Sequence, residues 1–208
     1  MKKPSMLHDN IVGALFRLVL PMIPGTLSIV LFNVADTYFV GQLGADPLAA
    51  MSFSFPVVLI SGGLAMGLGI GTSTYVSHAL GRDNRAEAAR LASQAHLLAF
   101  GLVTMLAITG LLTIAPLFTA MGATEKVLPL IRTYMTIWFI GLPFVILPMV
   151  GMNVLQATGD TKIPGIVLTL SVMLNILLDP LLIFGIGPFP HMGIAGAALA
   201  TVLGRASS

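Results

Sequence analysis

Residues 163–187 read IPGIVLTLSVMLNILLDPLLIFGIG. An apolar run of this length is the pattern of a membrane-spanning helix, since about 20 such residues cross the hydrocarbon core. The single charge inside it carries the information. Asp179 lies deep in the run, and a charge near a bilayer centre costs several kcal/mol, roughly 3 on insertion scales. A carboxyl held there needs partners. Asn175 stands four residues earlier, on the same helix face. Pro180 has no N–H to donate, so the carbonyl of Ile176 is released on that turn. A carboxylate, an amide and a bare carbonyl form a hard oxygen site, which suits a proton or a small cation.

Composition agrees with a membrane setting. Hydrophobic residues make up 56% of the chain and charged residues 9%, against about 25% charged in soluble domains. The net charge of +2 is too small to indicate nucleic acid. Cysteine is absent, which excludes disulfides and thiolate sites. His8, His78, His96 and His191 show no metal-ligand spacing. Gly67-Leu68-Gly69-Ile70-Gly71 follows no strand and sits mid-span, so it is not a nucleotide fingerprint. There is no nucleophile–base pair, metal motif or phosphate loop, and the chain reads as a non-enzyme with no cofactor.

Working outward, the chain divides into six apolar runs and reads as one all-α transmembrane lobe, residues 1–208. The expected spans are residues 11–40, 48–79, 91–118, 129–155, 164–186 and an incomplete 193–208. Pro21 and Pro24 are expected to bend the first span, as Pro180 bends the fifth. Asn33 and Asp36 lie three apart near the end of the first span, which reads as one shared face and a second buried carboxyl. Gly63, Gly67 and Gly71 recur every four residues in the second span and predict a smooth groove for close helix contact. In GRDNRAEAAR, residues 81–90, Gly81 is expected to end one helix in the left-handed conformation. Asn84 with Glu87 reads as a capping box opening the next. Gly159-Asp160 marks a turn, and Pro164 suits the first turn of the fifth helix. From Gly193 to the last residue about 24 Å of helix remain, short of a core of about 30 Å. The sixth span therefore reads as cut short.

Basic residues set the orientation. With the N-terminus inside, Lys2, Lys3, Arg17, Arg82, Arg85, Arg90 and Lys162 are cytoplasmic, and Lys126 and Arg132 are external. Arg205 is left out of the balance.

Four motifs in order resemble one family. Asp36 with Phe39-Val40-Gly41-Gln42-Leu43-Gly44 and Leu48-Ala49-Ala50 looks like the first-span region of the multidrug and toxic compound extrusion (MATE) transporters. Gly81-Arg82-Asp83-Asn84 after a glycine-rich second span is similar to theirs. So are Gln156-Ala157-Thr158-Gly159-Asp160-Thr161-Lys162-Ile163-Pro164, and Asn175 with Asp179-Pro180 followed by Gly193-Ile194-Ala195-Gly196-Ala197-Ala198-Leu199-Ala200-Thr201. The prokaryotic, DNA-damage-inducible-related branch is the closest in pattern. The resemblance implies one six-helix lobe of a two-lobed antiporter in the cytoplasmic (inner) membrane. It implies export of drugs or organic cations driven by entry of H⁺ or Na⁺. It also implies a cation-coupling site of Asp36, Asn175, Asp179 and Thr201, and the need for a second lobe or a second copy.

The residues support the same chemistry without the family. Asp36 and Asp179 lie on different spans, and close approach would favour neutralising one by a proton or the pair by Na⁺. A proline-bent helix with two geometries then serves as the switching element. Two other readings stand beside this one. A lipid-linked-saccharide flippase of the same superfamily would want basic groups along its cavity, for which Arg17 is the candidate within a span. A membrane fragment without transport of its own is the other. Because the chain has no native cysteine, its orientation can be tested directly. Cysteine placed at Asn84 or Thr161 is expected to react with an impermeant maleimide from the cytoplasmic side, and cysteine at Ala45 from outside; the opposite pattern would reverse the topology.

Overall fold

The computed structural model describes residues 19–20 and 22–207. Among them, regular structure is entirely helical: α1 Met22–Gln42, α2 Ala45–Gly81, α3 Arg85–Ala120, α4 Leu128–Ala157, α5 Lys162–Phe184 and α6 Ile194–Ala206. α2, α3, α4 and α5 are long and apolar enough to cross a membrane. α6 has 13 residues, about 20 Å of helix.

The helices outrun the apolar runs in the sequence. α2 begins at Ala45 and α3 at Arg85, because the polar stretches before their apolar cores are themselves helical. At 37 and 36 residues each is about 55 Å long, well beyond the hydrocarbon thickness. Asn84 caps α3: its side-chain oxygen accepts the Glu87 N–H at 3.0 Å. The return half of a capping box does not form. The Glu87 carboxylate turns to Arg90 at 3.3 Å, and the Asn84 N–H donates to the carbonyl of Ala79. The left-handed residue in this turn is Asp83, at φ 55°, and not Gly81, which remains the last residue of α2. An aspartate tolerates that conformation better than most side chains. Gly159 at φ 81° makes the expected turn. Asp160 follows it and accepts the N–H groups of Lys162 and Ile163 at the start of α5. Gly185, at φ 70°, ends that helix.

α4 is the centre of the lobe. Its buried residues Ile131, Tyr134, Met135, Trp138, Phe139, Leu142, Val145, Ile146 and Val150 recur at three- and four-residue intervals, a broad stripe down one helix. α4 packs extensively against α2, α3 and α6, while α1 packs mainly against α5, and α5 against α6. α6 thus bridges the α2–α3–α4 group and the α1–α5 pair.

Close approach of these helices depends on glycine, but not on the glycines with the regular spacing. A Cβ at Gly63, Gly67 or Gly71 would meet nothing within 4 Å, so the predicted groove is not used among the described residues. The contacts fall at Gly110, where a methyl would collide with the Phe139 ring, and at Gly141, where it would strike Val202. At Gly196 it would lie 2.5 Å from the Leu182 carbonyl, and at Gly204 2.8 Å from the Asn175 Cβ. Without a hydrophobic drive between helices in lipid, such backbone proximity is a main source of packing.

Pro24 lies near the start of α1. Pro21 lies outside the described residues. The glycine contacts give a direct test of the packing. Gly196→Ala is expected to destabilise the purified chain by about 1–3 kcal/mol, the usual range for overpacking. Gly67→Ala is expected to be neutral or to stabilise by up to about 1 kcal/mol. Thermal melts followed by the single tryptophan, Trp138, which is buried in the core, compare the two; equal midpoints would reject this packing.

Candidate functional site

The polar residues of the apolar helices sort into two kinds. Most hydroxyls satisfy themselves on the backbone one turn back, a common pattern for Ser and Thr in helices. Ser54 donates to Ala50, Ser61 to Val57, Thr72 to Leu68 and Thr201 to Ala197, at 2.7 to 3.0 Å. The second kind has no such outlet. Asp36 Oδ1, both carboxyl oxygens of Asp179, both amide atoms of Asn175, Ser171 Oγ, Trp138 Nε1 and, on α3, Thr104 Oγ1 are buried without a hydrogen-bond partner; all but Thr104 and Trp138 lie on α1 and α5.

Helix geometry explains why these groups gather. On α5, Ser171, Asn175 and Asp179 are four residues apart and form one inward stripe, with Asp179 fully buried. The opposite face carries Ile166, Leu170, Met173 and Leu177, all exposed and suited to lipid. On α1 the buried stripe is Phe32, Asp36 and Val40, again four apart. α1 and α5 pack together, and Phe39 meets Phe184 edge-on with ring centroids 6.3 Å apart. The Asp36 and Asp179 carboxyls lie within electrostatic range of each other and of the Tyr134 hydroxyl on α4. Thr201 is buried on α6. Gly204 lets α6 approach α5 closely enough for Thr201 to share a cavity wall with Asn175. Pro180 lies within α5, directly after Asp179.

One sequence expectation fails here. Asn33 is exposed on α1 while Asp36 is buried, so the two do not share a face. Residues three apart are separated by about 60° around the axis, and the burial boundary of α1 runs between them. Asn33 lines a shallow outward cavity with Val30, Val34, Thr37 and Tyr38.

The cluster thus offers carboxyl and amide oxygens as acceptors, with the Asn175 NH₂ as a donor. It is equipped to hold a proton or a monovalent cation. It is not a transition-metal cage: among the described residues no three His, Cys, Asp or Glu come together.

Sequence reasoning missed Ser171, Phe32 and Tyr134. Ser171 had a signal, since it continues the four-residue spacing of Asn175 and Asp179. Tyr134 and Phe32 had none, because an aromatic residue in an apolar span is ordinarily packing. Arg205, which the charge balance left unplaced, lies with its guanidinium carbon 5.3 Å from the centre of the Phe32 ring.

Comparison with known proteins follows from this geometry. The MatE family model matches residues 21–181. A protein of Shewanella oneidensis named FAD transporter is 46% identical over 198 residues, covering 95% of this chain and 44% of that protein. The multidrug export protein MepA of Staphylococcus aureus is 32% identical over 198 residues, covering 94% of this chain and 43% of that one. A solved structure, the outward-facing conformation of a multidrug resistance MATE family transporter of the MOP superfamily, superposes with a TM-score of 0.90 at 32% identity. It covers all of this chain and 46% of that structure. The chain therefore spans less than half the length of the proteins it matches.

Proposed function

The chain belongs to the MATE family, and from that premise we propose that it forms the cation-coupling lobe of a secondary antiporter. Export of a small molecule across the cytoplasmic membrane is driven by entry of H⁺ or Na⁺ at Asp36, Asn175, Asp179 and Thr201. The observation that carries this reading is the set of carboxyl and amide atoms buried without partners. Two carboxylates in so dry a place cannot stay charged and alone. A proton or a Na⁺ neutralises them, and its arrival or departure changes what holds α1 against α5. Tyr134 on α4 supplies a hydroxyl within electrostatic reach of the carboxyls. In this reading a second lobe, or a second copy of this one, completes the cavity, and the N-terminus is cytoplasmic.

Two cargo classes are to be compared. The name of the Staphylococcus relative favours drugs or organic cations, while the higher identity to the Shewanella protein favours a flavin dinucleotide. The outward face of α1 carries a cavity of about 580 Å³ lined by Val30, Asn33, Val34, Thr37 and Tyr38, which offer an amide, hydroxyls and a ring but no charge. FAD and a lipid-linked saccharide both carry a pyrophosphate, so this uncharged lining favours neither of them over an organic cation; Arg17 lies outside the described residues.

The test places this lobe in a complete two-lobed transporter and reconstitutes it in liposomes under an H⁺ or a Na⁺ gradient. Asp179→Asn is expected to reduce gradient-driven export to the level of empty liposomes while leaving membrane insertion unchanged, and Asp36→Asn to do the same. Asparagine keeps the shape but neither releases a proton nor offers a full charge to Na⁺. Running the assay with FAD and with ethidium identifies the cargo class. Undiminished export by Asp179→Asn would remove that carboxyl from the mechanism.

A further inference from the structure

Below the carboxyls, where α1, α5 and α6 meet, lies a small cavity lined by Phe32, Ser171, Val172, Asn175, Thr201, Gly204 and Arg205. Its volume is about 10 Å³, the least that admits one water molecule. Its polar lining is unusual for so apolar a bundle. Ser171 and Asn175 are each 3% exposed, and the Ser171 hydroxyl and both ends of the Asn175 amide have no partner. Ser171 departs from the buried serines of α2, which donate to the backbone one turn back. Thr201 Oγ1 donates to Ala197 and keeps lone pairs to accept with. A buried water makes about three hydrogen bonds to groups that the protein leaves unsatisfied. Ser171, Asn175 and Thr201 supply that number.

We propose that this cavity is an internal hydration site holding one water molecule, and that Arg205 reserves it for water against metal cations. Arg205 lines the cavity and its guanidinium sits over the Phe32 ring. A ring face holds a cation in an apolar place, so the positive charge is fixed at the cavity wall. A second cation in a space this small meets that charge with little screening, whereas a neutral water does not. The α5 stripe is thus divided. Asp179 stands at a level open to a coupling cation, and Ser171 stands at a level that excludes one. Asn175 and Thr201, between them, serve both levels. The inference concerns what fills the lower level and does not depend on transport.

Hydroxyl-radical footprinting of the full chain in lipid nanodiscs tests it. Radiolysis of a bound water oxidises the side chain beside it, even one shielded from bulk solvent. Phe32 is expected to be oxidised several-fold faster than Phe118 and Phe139, which are buried in the dry core. The Phe32 rate is expected to be the same in Na⁺ and K⁺ buffers. Ser171→Val removes the hydroxyl and fills the cavity, and is expected to bring Phe32 down to the rate of the dry controls. Leu203→Val, on the exposed face of α6, is expected to change nothing. Arg205→Gln is expected to make Phe32 oxidation fall as Na⁺ is raised. Equal rates for Phe32, Phe118 and Phe139 in the unaltered chain would overturn the hydration site, with no variant needed. Suppression by Na⁺ in the unaltered chain, or no Na⁺ effect in Arg205→Gln, would overturn the role of Arg205.

Discussion

In hydrocarbon there is no water to satisfy a polar group, so each one must find a partner within the protein or remain a standing cost. That constraint orders this lobe. The hydroxyls that serve only local packing return to their own backbone. Apolar side chains cover the outward faces of α2, α3 and α5. Of the groups left over, those on α1 and α5 are collected along one seam, while Thr104 on α3 stands outside it. The lack of partners on α1 and α5 is not a packing defect, because those groups fall together and on facing elements. A random scatter of unsatisfied atoms would suggest poor packing, while a cluster of carboxyls, an amide and a hydroxyl describes a binding site.

The second constraint is reach. Side chains as short as Ser, Asn, Asp and Thr meet across helices only if the backbones come close. Gly196 and Gly204 bring α6 against α5, and Gly110 and Gly141 seat α4 between α3 and α6. The site is thus as dependent on these glycines as on its own polar residues. Replacing Gly204 would press on Asn175 directly, although glycine itself contributes no chemistry.

Much of this was legible in the sequence. The helices announced themselves as apolar runs because lipid demands them, and Asp179 and Asp36 stood out because a carboxyl in such a run is expensive. Helix ends were less legible, since the polar turns before α2 and α3 continue the helix where hydropathy has already fallen. Side and depth were harder still. Spacing placed Asn33 with Asp36, but the burial boundary of α1 passes between them. The repeat of Gly63, Gly67 and Gly71 told where a backbone could be approached, not that any helix among the described residues approaches it. Ser171 was overlooked because a serine in an apolar helix usually bonds to its own backbone, as Ser54 and Ser61 do.

The close seating of α6 on α5 through Gly196 and Gly204 has a consequence for biogenesis. Ribosomes deliver helices in order, so α5 enters the bilayer with Asn175 and Asp179 while the helix that covers part of their stripe is still being made. α1, already inserted, packs on α5 and shelters the carboxyl level in the meantime. α6 then arrives at a docking surface that is already waiting. Gly196 and Gly204 sit eight residues apart on that surface, and each would press a Cβ into α5 if displaced by another residue. The nascent helix therefore has one register to find. A mis-set register would leave Ser171 and Asn175 facing lipid, the sort of defect that membrane quality control recognises.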